Sequence, residues 1–179
     1  FIKWINEIGL GANSQARIIS GVKAFYKFLL VEDIINDNPT KILDSPSLQR
    51  KIPEVLSYEE IQAMVATIDL SFDHGVRNRA MLETLYACGL RVSELITLRL
   101  SNFYKEVGFI KVIGKNNKER IVPIGEEAIK HIGFYIKGVR SQQKNIHKEH
   151  ANFLFLKRRG KKLSRIMICN IVKEAAAAA

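Results

Sequence analysis

Two cysteines in 179 residues are too few for a disulfide or zinc framework. Cys88 and Cys169 form no CxxC pair, which fits a reducing cytoplasm where isolated thiols are small, buried apolar groups. The histidines His74, His131, His147 and His150 include one close pair, and no cysteine stands at a zinc-ligand spacing from it. That pair is expected on the solvated surface; no metal and no other cofactor is expected. No apolar run approaches a membrane span and no secretory leader is legible, so a cytoplasmic protein without membrane attachment is expected. Acidic residues are scarce in one region. Residues 111–165 carry 15 Lys and Arg against 4 Asp and Glu, a net +11, whereas residues 1–110 carry a net −1.

What is present is a foldable chain with an apolar fraction of 47%, enough for one domain or two small ones. Its one-sided basic charge points to a polyanionic partner, with attraction falling as salt rises. A merely solubilising surface explains the one-sidedness less well.

Phe1, Ile2, Ile5 and Ile8 sit at helical spacing, so the chain is expected to open inside a helix. Gly9 and Gly11 break it, and Asn13 or Ser14 can cap a second helix reaching Val31, with Ile18, Val22, Phe25 and Leu29 on one face. Thr40 can cap a short helix to Leu43, and residues 45–56, with Pro46 and Pro53, read as a linker. Ser57 and Glu60 form a capping box. Helices are then expected towards Ile68, over Arg77 to Cys88 with Gly89 as the left-handed stop, and from Val92 to Leu98. Tyr86 is expected in the core.

The period then changes to that of strands. Phe109–Ile113 and Arg120–Ile124 predict a hairpin around the loop from Gly114 to Glu119. A helix from Glu126 to Val139, a strand over Asn152–Leu156, a basic turn over Lys157–Lys162 and a last helix capped by Ser164 complete the chain. Ala175 to Ala179 fit a helix end, alanine being the best helix former. They equally suit positions standing in for side chains never identified.

Two stretches carry a resemblance. Ala87-Cys88-Gly89-Leu90-Arg91-Val92-Ser93-Glu94-Leu95 resembles the first signature box of tyrosine recombinases, the phage-integrase family. Val112-Ile113-Gly114-Lys115-Asn116-Asn117-Lys118-Glu119-Arg120-Ile121-Val122-Pro123-Ile124 resembles their β-hairpin box. The likeness is closest to the Xer branch and extends over almost the whole chain. It implies a mainly α fold with a small β-hairpin or sheet, in two parts. Residues 1–44 would be the end of a helical core-binding domain, 45–56 the linker, and 57–179 an incomplete catalytic domain.

The resemblance also implies a chemistry. A tyrosine attacks a DNA phosphate, giving a 3′-phosphotyrosyl link and a free 5′-hydroxyl, and a second 5′-hydroxyl reverses the step. Such a site needs a nucleophile, cations for the charged phosphorus centre and an acid for the leaving oxygen. Arg91 matches the catalytic arginine, whose fixed fork suits two phosphate oxygens. Lys115 matches the hairpin lysine, the expected acid. Glu94 lies three residues from Arg91, on the same side of a helix; the resemblance has it hold the arginine or nearby backbone, and spacing alone admits a plain surface acid. Lys118 and Arg120 are expected phosphate contacts, as are Lys157, Arg158, Arg159, Lys161, Lys162 and Arg165. For Arg17 and Lys23, DNA contact and simple solvation are evenly matched.

The implied partners are duplex DNA with paired half-sites and further protomers, four of them joining two sites. The family's His-x-x-Arg-His box is absent from the 179 residues, and none of Tyr26, Tyr58, Tyr86, Tyr104 or Tyr135 follows one. The nucleophile is therefore expected elsewhere, and the chain by itself is expected to be inactive. The competing function is a DNA-binding relative that never cuts, which would be expected to lose Arg91 or Lys115.

Overall fold

The structure, a computed structural model, describes residues 2–48 and 53–179; Phe1 and the middle of the expected linker, 49–52, lie outside the described residues. The chain divides into two compact units, Phe1–Glu54 and Val55–Ala179.

In the first unit, α1 (Ile2–Glu7) is separated from α2 (Ala12–Val31) where Gly9 takes φ +73°. The cap of α2 is Gly11 rather than Asn13 or Ser14, which lie inside the first turn. Extended backbone at Gly11 lets its carbonyl accept from Ser14 and Gln15 at 2.9 and 3.1 Å. The inward face also differs from the expected stripe. Ala16 and Ile19 are buried, while Ile18 and Phe25 are exposed. Helix α2 is apolar on several sides, so neighbouring residues about 100° apart compete for the core and spacing alone does not choose. Thr40 caps no helix. Asn38 Oδ1 accepts from the Thr40 N–H at 2.9 Å and from its hydroxyl at 2.7 Å, and this local turn replaces a helical start.

The second unit opens with α3 (Tyr58–Ala66) on the expected box, Ser57 N–H donating to Glu60 at 2.7 Å. Helix α4 (Asp73–Cys88) begins four residues before the expected Arg77. Asp73 gives it an acidic first turn, and Gly75 lets that turn press on Asp69, whose carbonyl oxygen would lie 1.8 Å from an added Cβ. Gly89 ends it at φ 54°, ψ 39°. After α5 (Val92–Thr97) comes an antiparallel sheet in the order β1 (Phe103–Tyr104), β2 (Phe109–Ile113), β3 (Glu119–Pro123). Its first strand is too short to show a period. In β2, Ile110 and Val112 face the core, and Val112 pairs with Arg120. Helix α6 (Glu126–Phe134) continues through a π turn over Tyr135–Val139, and α7 (Arg165–Ala178) starts on the expected Ser164 cap.

Leu95, Ile110, Ile132, Leu154 and Ile168 sit at the centre of the core, wholly buried. A smaller cluster joins Met64, Val65 and Leu82 to Ala175. Four further expectations fail. Asn152–Leu156 makes only isolated antiparallel bridges, Phe153 with Arg99 and Leu156 with Lys162, and not a strand; side chains take several of its other backbone groups. Arg140 donates to Phe153 and Leu154 carbonyls at 3.0 and 3.2 Å, Arg77 donates to the Leu156 carbonyl at 3.2 Å, and the Tyr135 hydroxyl accepts from the Leu156 N–H at 3.1 Å. Tyr86 is exposed, its ring 6.3 Å from that of Tyr58, since α4 turns this position outward. Cys169 is exposed on α7, leaving Cys88 as the buried thiol, pushed up to about 11 by burial. The histidine pair is only half solvated: His147 is exposed, but His150 is partly buried and its Nδ1 has no hydrogen-bond partner among the described residues.

Candidate active site

Arg91 occupies the N-cap position of α5, reached directly from the left-handed turn at Gly89. Helical spacing then folds Glu94 back onto it. Glu94 Oε2 accepts from the Arg91 backbone N–H at 2.9 Å, and Oε1 accepts from Arg91 Nη1 at 3.2 Å. The carboxylate also receives both terminal nitrogens of Arg120, at 2.7 and 2.8 Å, across from β3. Its side chain is only 3% exposed. The Arg120 hydrogen bond, ahead of the weaker contributions of Arg91, holds Glu94 down at about 2 although burial opposes this. Arg120 is raised in turn by Glu94.

The two arginines differ in what remains free. The Arg91 side chain is 76% exposed and touches Glu94 through one nitrogen, so most of its fork faces solvent. Arg120, expected among the phosphate contacts, is bound through both terminal nitrogens to Glu94. Gly114 is the position that sequence reasoning missed. A Cβ there would lie 3.3 Å from Glu94 Oε1 and 3.5 Å from Arg120 Nη1, so the hairpin backbone closes against the ion pair. The signal was available as a glycine immediately before the hairpin lysine.

Lys115 follows Gly114 and opens the tight turn Lys115–Asn117, in which Asn116 and Asn117 take φ 60° and 57°. Asparagine tolerates that region better than most residues. Lys115 and Lys118 are both exposed, and the Lys118 carbonyl accepts from the Gly114 N–H at 2.8 Å to close the turn. Lys111 braces the strands by pairing with Glu119 at 2.7 Å.

The basic turn is separately built. The Gly160 N–H donates to the Lys157 carbonyl at 2.9 Å, and Gln143 Nε2 donates to the Lys157 and Arg158 carbonyls at 2.7 and 3.0 Å. Gly160 has φ 68° and packs on Asn145 so closely that a Cβ would fall 1.9 Å from its carbonyl oxygen. Arg158, Arg159, Lys161, Lys162 and Arg165 project outward, with Lys157 half-buried. The six make no salt bridge among the described residues, and Lys162 lies over the Phe153 ring at 5.9 Å. In the first unit Arg17 is exposed and Lys23 half-buried on α2. Among the described residues no group of three or more metal-ligating side chains gathers, and no helix is long and apolar enough to cross a membrane.

Comparison with known proteins places this fold. A mainly helical unit with a three-stranded antiparallel sheet is the fold shared with solved recombinases and integrases. The "Tn1549 transposon Integrase" shares the fold at TM-score 0.71 and 23% identity, over 99% of this chain and 62% of that one. The "XerA recombinase" matches at TM-score 0.62 and 25% identity, over 96% of this chain and 56% of that one. The family model described as "Phage integrase family" matches residues 54–179, and the chain belongs to that family. "Tyrosine recombinase XerD" of Staphylococcus saprophyticus is 42% identical over 173 residues, 97% of this chain and 58% of that protein. The chain thus spans somewhat over half the length of such relatives.

Proposed function

We propose that the protein is a site-specific DNA recombinase that cuts and rejoins strands through a 3′-phosphotyrosyl intermediate. The observation that carries this reading is the arrangement around Glu94. One buried carboxylate holds the backbone and side chain of Arg91 while Arg91 keeps most of its donors exposed. An always-charged fork fixed at its base and open at its tip suits the non-bridging oxygens of a phosphate. Lys115, one residue beyond Gly114, where an added Cβ would stand 3.3 Å from Glu94 Oε1, is the acid that protonates the departing 5′-oxygen.

The tyrosine hydroxyl releases its proton to solvent as its oxygen bonds to phosphorus, the bond from phosphorus to the 5′-oxygen breaks, and the Lys115 proton passes to that oxygen. The reverse transfer uses a 5′-hydroxyl of the partner strand. None of the five tyrosines here is the nucleophile. Tyr135 is buried with its hydroxyl engaged by Leu156, and none follows a His-x-x-Arg-His box. The chain by itself is therefore inactive in cleavage.

Duplex DNA with paired half-sites is the substrate, bound by protomers that join as a tetramer in the cytoplasm. The exposed cations from Arg158 to Arg165, with Lys157 and, from the hairpin, Lys118, grip phosphates. Residues 1–44 serve as a core-binding domain through Arg17 and Lys23, 45–56 as linker and 57–179 as catalytic domain. Support comes from the relatives' names and from the Tn1549 integrase, solved "in complex with circular intermediate DNA".

The test is covalent trapping. The intact gene product, incubated with a nicked suicide substrate and run on a denaturing gel, should give a shifted protein–DNA band. Arg91→Ala should weaken it by ~10²–10³ in rate, and residues 1–179 alone should give none. DNA binding by the intact gene product without any adduct would replace this reading with that of a non-cutting DNA-binding factor.

A further inference from the structure

We propose that Arg120 is a positioning residue for Lys115, acting through Glu94 and Gly114, and not itself a phosphate contact. The inference rests on the recombinase reading above. Three observations join in it. Arg120 gives both terminal nitrogens to Glu94, at 2.7 and 2.8 Å. Glu94 is in turn fixed to the start of α5 by the Arg91 N–H at 2.9 Å. Gly114, the residue before Lys115, closes on both members of the pair, 3.3 and 3.5 Å from where its Cβ would stand.

The consequence is mechanical. β3 pairs with β2, opposite Val112 at Arg120, and both strands lead into the turn that carries Lys115. A two-stranded tip with exposed residues is otherwise free to swing, since hairpin ends are marginally stable on their own. The forked ion pair anchors the base of that tip to the helix start bearing Arg91. It thereby sets the acid against the phosphate clamp, although the two residues are 24 positions apart in sequence. A guanidinium suits this because its two parallel donors fix direction as well as distance, which a lysine ammonium does not. Small displacements of an acid matter: misplacement by about 1 Å can lose ~10²-fold in rate.

The experiment compares Arg120→Ala, Arg120→Lys and Lys115→Ala in the intact gene product. Single-turnover cleavage is measured on DNA with either oxygen or sulfur at the scissile 5′ position, alongside DNA affinity against salt. A thiolate leaves without a proton, so a variant that lacks only the acid recovers on sulfur. Arg120→Ala should lose ~10–10²-fold on oxygen and regain most of it on sulfur, like Lys115→Ala, with an unchanged salt slope. Combining the two substitutions should be no worse than Lys115→Ala alone. Arg120→Lys, which keeps the charge and is the milder change for folding, should show the same oxygen-specific defect at smaller size.

Rescue of Lys115→Ala on sulfur without rescue of either Arg120 variant would overturn the positioning role and leave the acid intact. A salt slope shallower by about one for Arg120→Ala would restore it as a phosphate contact. Failure of sulfur to rescue Lys115→Ala itself would remove the acid reading, and the positioning role with it.

Discussion

Replacing Glu94 by glutamine tests the centre of the site without invoking DNA. The side chain keeps its shape, but one carboxylate oxygen becomes an NH₂ group. Glu94 now accepts four hydrogen bonds, two at each oxygen. An amide can satisfy the pair at Oε1, from Arg91 Nη1 and Arg120 Nη1. It then sets donors against donors at the other position, facing the Arg91 N–H and Arg120 Nη2.

The size follows from the proton equilibrium. Glu94 is lowered from 4.5 to about 2 by the Arg120 and Arg91 contacts. At about 1.4 kcal/mol per unit the ionised form is favoured by ~3 kcal/mol in the folded state. Its partners are 39% and 76% exposed, and solvent screening there brings the expected loss to ~2–3 kcal/mol. Because the folded value lies below the unfolded one, this stability is complete above pH ~5 and is lost as pH falls towards 2.

Urea denaturation of the wild type and Glu94→Gln, at pH 7 and pH 3, reads both parts. At pH 7 the variant should be ~2–3 kcal/mol less stable, and by pH 3 more than half of that gap should have closed. A gap that is the same at both pH values would refute the charge argument. A gap under ~0.5 kcal/mol at pH 7 would show that the arginines are equally content in water.

Other perturbations separate local causes. Gly160→Ala should cost more than Gly108→Ala in thermal denaturation. Both have positive φ, worth ~1 kcal/mol, but only Gly160 also meets a carbonyl, at 1.9 Å. Equal losses would mean that the Asn145 contact relaxes freely. Tyr135→Phe should cost ~1–2 kcal/mol in urea, since the buried Leu156 N–H loses its acceptor; a neutral result would mean that it finds another. Thiol labelling at pH 8 should modify exposed Cys169 promptly and Cys88, pushed up to about 11, only on unfolding; equal rates would contradict the burial of Cys88. Changing Lys157, Arg158 and Arg159 together to glutamine should flatten the salt dependence of DNA binding in the intact gene product, read by fluorescence anisotropy, the slope being about −0.9 per phosphate contact. An unaltered slope would place the DNA surface elsewhere.

Much of this protein was legible along the chain because its signals are local. The Ser57 box, the Gly89 stop, the Ser164 cap and the hairpin strands each depend on residues within a few positions of one another, and backbone geometry fixes the outcome. The same holds for the contact of Glu94 with Arg91, three residues apart on one helical turn. Family membership followed from two such local boxes.

Tertiary packing decided the rest. On α2 several faces are apolar, and only the neighbouring elements select Ala16 and Ile19 over Ile18 and Phe25. Asn152–Leu156 has a strand's composition, yet its pairing stops at single bridges to Arg99 and Lys162, and Arg77, Tyr135 and Arg140 reach other backbone groups of it from distant positions. Arg120 is the sharpest case. Folding brings it 2.7 Å from a carboxylate 26 residues earlier, a partner that its basic sequence neighbourhood does not reveal. A charge meets the partner that burial leaves without water, and that partner is set by the fold.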